Sequence, residues 1–133
     1  MAALTADRNT PSMEGELVSV PVATAVTIFA GSLVAANNSG YATPGAVAAT
    51  LTYLGRAEEQ VVNAGANGAK NVLVRRKQAF KWLNHGADLV VQADLGKTCY
   101  IVDDQTVAKT NGGATRSAAG RVVQLDADGV WVE

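Results

Sequence analysis

His85 and Cys99 are the chain's only histidine and only cysteine, so together they are its one candidate nucleophile and base pair. A thiol activated by an imidazole needs the two held within hydrogen-bond reach and the base oriented by a third group. Nothing in their spacing supplies this: Gly86 places His85 in a loop, while Thr98, Tyr100, Ile101 and Val102 place Cys99 in a strand as a small buried hydrophobe. A histidine-rich or cysteine-rich metal site cannot be assembled, and with one cysteine no internal disulfide forms, which fits a reduced compartment.

Four other patterns resemble functional motifs and fail on spacing. Gly96, Lys97 and Thr98 spell the end of a phosphate-binding loop, but the glycine required five places earlier is Val91. Asp126, Asp128 and Gly129 resemble the middle of a calcium loop whose closing glutamate would fall beyond Glu133, so an Asp-Gly hairpin turn is expected instead. Asp103 and Asp104 are adjacent, so in a strand they face opposite ways and suit a turn better than paired acid and base work. The Gly65–Gly68 segment matches an RNA backbone clamp by its letters alone and reads as a turn. No catalytic residue, cofactor or metal is expected, and the chain reads as a non-enzyme.

Charge is unevenly spread. The net value is −1, which gives no general affinity for nucleic acid or anionic membrane. Residues 1–55 carry −2, residues 56–81 carry +4 and residues 82–133 carry −3. Arg75, Arg76 and Lys77, with Phe80 and Trp82 nearby, could hold a single strand of nucleic acid by charge and stacking. The overall balance argues against that, and favours either a solvated strand face or a patch that docks an acidic partner.

The elements that position these residues are strands. From Leu17 to Gly55 there is no Asp, Glu, Lys, Arg or His, so the run must be covered by the chain's own core, a sister subunit or a larger assembly. Within it Leu17–Ala36 is long enough to cross a bilayer, but Pro21, Gly31 and a period-two pattern reject the span. Asp7, Arg8, Asn9, Glu14 and Glu16 precede it, which is wrong for a signal peptide and predicts cytoplasmic synthesis.

Val18, Val20, Val22, Val26 and Ile28 share one parity and predict a half-buried strand, which Pro21 places partly at an edge or bulge. Asn37–Gly40 predicts a hairpin turn before Tyr41. Leu51–Val62 and Asn71–Leu83 read as a second strand pair around a flexible loop over residues 63–70. A short helix is expected over residues 88–95, capped near Asp88 and ended by Gly96. Strands are expected over Thr98–Val102 and Thr106–Lys109, with a last hairpin of Gly120–Leu125 and Val130–Val132. The whole predicts an all-β, small barrel or sandwich-like domain over residues 17–133, preceded by an extended N-terminal arm over residues 1–16.

Several strings then carry a family resemblance. They are Ala3–Pro11 (Ala-Leu-Thr-Ala-Asp-Arg-Asn-Thr-Pro), Gly55–Gln60 (Gly-Arg-Ala-Glu-Glu-Gln), Val72–Arg76, Ala93–Lys109 (Ala-Asp-Leu-Gly-Lys-Thr-Cys-Tyr-Ile-Val-Asp-Asp-Gln-Thr-Val-Ala-Lys) and the Ala119–Val132 ending. Together they resemble the small capsid cement, or decoration, proteins of tailed bacteriophages and prophages. The resemblance implies a structural virion protein on the outer surface of the expanded head, tying neighbouring major capsid subunits together. It implies a homo-oligomer, with a trimer favoured, and a partner in the major capsid protein. Nucleic acid, membrane and small-molecule substrates are not expected. Capsid binding is expected from Leu4, Thr5, Asp7, Arg8, Asn9, Thr10 and Pro11 of the arm and from Arg75, Arg76 and Lys77. The alternative is a phage fibre or surface module that binds carbohydrate, with Trp82, Trp131, Tyr41, Tyr53 and Tyr100 as stacking faces.

Overall fold

A computed structural model describes residues 2–13 and 15–133; Met1 and Glu14, both within the expected arm, lie outside the described residues. The chain is mainly β, as its alternation and turn residues predict. Among the described residues twelve strands run in order: β1 (Leu17–Pro21), β2 (Val26–Ile28), β3 (Leu33–Ala36), β4 (Ala42–Pro44), β5 (Thr52–Ala57), β6 (Val61–Asn63), β7 (Asn71–Arg75), β8 (Phe80–Asn84), β9 (Thr98–Ile101), β10 (Thr106–Ala108), β11 (Ala118–Asp126) and β12 (Gly129–Val132). Strands β8 to β12 close a barrel in the order β10-β8-β12-β11-β9, while β1-β7-β5-β3-β4 form a five-stranded sheet and β2 pairs with β6.

The two five-stranded units are copies of one topology. If strands are counted within each unit, both follow the order first, fifth, fourth, second, third. In each the first and third strands meet in parallel: Val22, just past β1, bridges Ala42, and Asn84 at the end of β8 pairs with Val107. The next residue makes the same bond in both, Ala23 N–H to the Ala42 carbonyl and His85 N–H to the Val107 carbonyl, each at 2.9 Å. Register agrees as well: Leu33 faces Arg56 and Ala35 faces Tyr53 across a bulge, and Thr98 faces Arg121 and Tyr100 faces Ala118 across another.

The same turn enters the second strand of both copies. Ser32 N–H donates to the Phe29 carbonyl around Gly31 at φ +82°, and Lys97 N–H donates to the Asp94 carbonyl around Gly96 at φ +81°. Only glycine takes that left-handed conformation without steric cost, so it recurs at both positions. The copies differ between their fourth and fifth strands. The second copy turns at Ala127–Asp128, whereas the first inserts β6, which pairs with β2.

Burial explains the uncharged run. Val22, Ile28, Leu33, Val34, Ala35 and Ala42 are wholly buried, so much of Leu17–Gly55 is core of the chain itself. Leu33 and Ala35 belong to the first unit yet pack into the second unit's core with Phe80, Trp82, Ile101 and Val130, so the two units share one apolar interior. The remaining core gathers Val22, Ile28, Val34, Val72 and Val74 inside the first unit. Polar ties lock the junction: Leu33 N–H donates to the Asp104 carbonyl at 2.7 Å, Leu51 N–H to Ser117 Oγ at 2.9 Å, and Trp82 Nε1 to Tyr53 Oη at 3.2 Å.

Four expected elements are corrected. The strand read through Val18–Ile28 is two, β1 and β2, with Ala25 between them at φ +58°. The helix over 88–95 is a single 3-10 turn, Gln92–Asp94. Asp88 does not cap it, because its carboxylate accepts Thr110 Oγ1, Thr110 N–H and Arg116 Nη1 and so anchors a distant loop. Asn84 meanwhile holds Val90 in extended backbone by two reciprocal bonds. The long strands read over 51–62 and 71–83 are each broken: β5 and β7 pair in the first unit, β6 pairs elsewhere, and β8 opens the second unit.

Candidate interaction surface

The expected arm residues share one extended, exposed segment. Residues 2–13 form neither helix nor strand and are exposed throughout, with Leu4 at 72% and Met13 at 78%. The hydrogen bonds found within it are local, Arg8 Nη1 to Thr10 Oγ1 at 2.8 Å and Thr10 N–H to the Arg8 carbonyl at 3.1 Å. Leu4, Thr5, Asp7, Arg8, Asn9, Thr10 and Pro11 are therefore all open to solvent. A dozen extended residues reach about 40 Å.

Arg75, Arg76 and Lys77 are not one strand face. β7 ends at Arg75, and Lys77 takes a left-handed φ of +59° in the link that carries the chain into β8. Arg75 Nε donates to Glu58 Oε1 at 3.1 Å, alongside Arg56 Nη2 at 2.8 Å. These bonds, the Arg56 one foremost, hold the Glu58 carboxyl below its usual range. Arg56 also lies 4.8 Å over the Phe80 ring. No ion pair among the described residues involves Arg76 or Lys77, so the charge open to a partner sits on the link.

The structure brings this link to the base of the arm. Arg76 N–H donates to the Glu16 carbonyl at 2.7 Å, and Lys77 Nζ lies close enough to Gly15 that an added Cβ would meet it. The arm and the link thus share a root.

A second surface feature has a single cue in the sequence. Between the two units runs a groove of about 340 Å³ lined by Phe29, Ala30, Gly31, Ser32, Asp104 and Gln105. It adjoins a depression of about 290 Å³ bordered by Lys81, Trp82, Leu83 and Asp128, with Gly31 and Gln105 common to both. Phe29 is 55% exposed, an unusual place for a phenylalanine, and that residue beside a turn glycine was the one cue available.

Cys99, Asp103, Asp126 and Asp128 each make bonds within the fold. Cys99 is buried, its thiol is pushed up to about 11 by burial, and Sγ donates to the Gly120 carbonyl at 3.5 Å. Asp103 accepts Gln105 N–H at 2.9 Å within its turn. Asp126 accepts Trp131 Nε1 at 2.7 Å and Gln124 Nε2 at 3.1 Å, which holds its carboxyl below the usual range, and Asp128 pairs with Lys81 at 3.0 Å. Among the described residues no group of three or more His, Cys, Asp or Glu converges as metal ligands. Of the aromatic residues considered for stacking, Trp82 is buried, Tyr41, Tyr53 and Tyr100 are half-buried, and burial pushes the Tyr53 hydroxyl up to about 12. No helix is long and apolar enough to cross a membrane among the described residues.

Compared with known proteins, the chain matches no family model, no curated protein and no solved structure.

Proposed function

We propose that the protein is a capsid cement protein, a structural component that binds the outer surface of an expanded phage head and bridges neighbouring major capsid subunits. The observation that supports this reading is the exposed arm rooted beside the basic link, on a body locked by a shared core. Packed DNA pushes capsid subunits apart, and a clamp across their junction must let go before they separate. Many weak contacts serve when sites repeat and engage together, which favours a homo-oligomer, here a trimer at threefold positions.

The arm's role follows from its lack of internal structure. It orders on the partner, and backbone hydrogen bonds to a neighbouring strand edge offset the ordering cost. Arg76 and Lys77 steer the approach to acidic capsid groups, an attraction that salt weakens.

The test is binding of purified protein to expanded heads. Removing residues 1–13 leaves Glu16 and its bond to Arg76 in place, so the body stays folded by circular dichroism while head binding falls by about tenfold or more. Undiminished binding by the truncated chain refutes the arm's role. Reversing Arg76 and Lys77 to Glu should weaken binding at low salt and flatten its salt dependence.

A further inference from the structure

We propose that the groove between the two units is a binding site for a neutral saccharide, stacked on Phe29 and hydrogen-bonded by Ser32, Asp104 and Gln105. The inference does not rest on the capsid reading.

Its first support is a comparison the protein makes with itself. The turn Phe29–Ser32 is rebuilt in the second copy as Asp94–Lys97, with the same backbone bond and the same glycine conformation. In that copy the first position is a buried Asp whose carboxylate accepts Val91 N–H at 2.8 Å, and the last is an exposed Lys. The turn therefore requires neither an exposed phenylalanine nor a buried serine. Both sit in the first copy alone, and both line the groove.

The second support is the hydrogen-bonding state of the lining. Ser32 is only 7% exposed, yet its Oγ has no partner among the described residues, an unfavourable condition for a buried hydroxyl. The hydrogen bonds found leave the Asp104 carboxylate and the Gln105 side-chain amide without partners too, since Asp104 contributes its backbone carbonyl to Leu33 and Gln105 its backbone N–H to Asp103. A buried hydroxyl without a partner, a half-buried carboxylate and an exposed amide thus line one groove together with an open aromatic ring. Such a mix of an apolar wall and a few convergent polar groups marks small-molecule sites, whose volumes start at about 300 Å³.

The chemistry of those groups selects the ligand. A carboxylate only accepts, an amide donates and accepts, and a hydroxyl does both. A sugar ring presents adjacent hydroxyls that satisfy all three and a C–H face for the phenyl ring. An anionic ligand would meet the Asp104 carboxylate, while at the far end Asp128 is paired with Lys81 at 3.0 Å, so the site favours a neutral one.

The test uses the intact chain, labelled with nitrogen-15, and a panel of neutral oligosaccharides: maltotriose, chitotriose and galactobiose. The expected result is that at least one probe, at about 10 mM, shifts amides of residues 29–32 and 104–105. Phe29→Ala should weaken that binding about tenfold or more and Asp104→Asn should weaken it less, while Phe29→Trp should restore it, a rescue that a purely structural role would not give. No shift with any probe, binding unchanged by Phe29→Ala, or shifts located elsewhere would each overturn the proposal. A response confined to an arginine-containing tripeptide would overturn it too, in favour of a peptide site.

Discussion

Replacing Gly55 with alanine should destabilise the protein by about 2–6 kcal/mol, a large share of the 5–15 kcal/mol that holds a typical domain together. Two costs combine. Gly55 has φ +147°, where a side chain is strained by about 1–3 kcal/mol. Its added Cβ would also run into the Arg75 backbone carbonyl, and that carbonyl cannot easily retreat because Arg75 is paired with both Leu17 of β1 and Arg56 of β5. Overpacking against fixed backbone costs about 1–3 kcal/mol more. Gly120 holds the matching position in the second copy, where a Cβ would meet the Glu133 carbonyl, but its φ lies outside the strained region. Gly120→Ala should therefore cost only the packing contribution, about 1–3 kcal/mol. Urea unfolding followed by far-ultraviolet circular dichroism and tryptophan fluorescence measures both. With a slope of about 2 kcal/mol/M the Gly55→Ala midpoint should fall by roughly 1–3 M. A Gly55→Ala protein within about 0.5 kcal/mol of wild type, or a Gly120→Ala protein that is the weaker of the two, would refute the reasoning.

Leu33→Ala empties a wholly buried site in the core that both units share, so it should cost about 2–5 kcal/mol and lower both units' transitions together. Loss of β signal while Trp82 fluorescence keeps its original midpoint would show that the units unfold independently. Glu58→Gln tests the Arg56–Glu58–Arg75 cluster through pH. Because the folded carboxyl is held below its ordinary value of 4.5, its stabilisation is present above that pH and is lost as pH falls through the folded value. The stability gap between wild type and Glu58→Gln should thus be full at pH 7 and shrink in acid, and an equal gap at pH 3 would count against the cluster.

The sequence was most readable where chemistry is local. Period-two valines mark the residues of β1, β2 and β7 but not the break between the first two, Asn37–Gly40 marks the β3–β4 turn and Gly96 the entry to β9, because alternation and turn residues act over a few positions. The break between β7 and β8 escaped notice for a physical reason. It contains no Gly or Pro, and the chain turns through Lys77, whose left-handed backbone is unusual for a lysine. Asp88 misled in another way: it has the type of a helix cap, but Thr110 and Arg116, more than 20 residues away, claim its oxygens. Neither the arm's reach nor the groove could be read, since one depends on what surrounds the arm and the other on two turns brought together from residues 29–32 and 104–105.

The duplication was hidden because the fold asks little of its sequence. Between residues 29–57 and the segment 65 positions later, the matches are Gly31 with Gly96, Ala49 with Ala114, Thr50 with Thr115, Gly55 with Gly120 and Arg56 with Arg121. Two glycine pairs serve the turn and the close crossing; elsewhere an apolar side chain facing inward is enough, as Val34 and Cys99 show by taking equivalent buried places. Positions that the fold leaves free can then diverge without loss of stability, and their divergence becomes informative. Arg56 is bonded to Glu58 and lies over Phe80, whereas its counterpart Arg121 is exposed, so one residue type seals the junction in one copy and faces solvent in the other. The arm, the β2–β6 insertion and the exposed Phe29 all belong to the first copy, while the second closes its barrel completely.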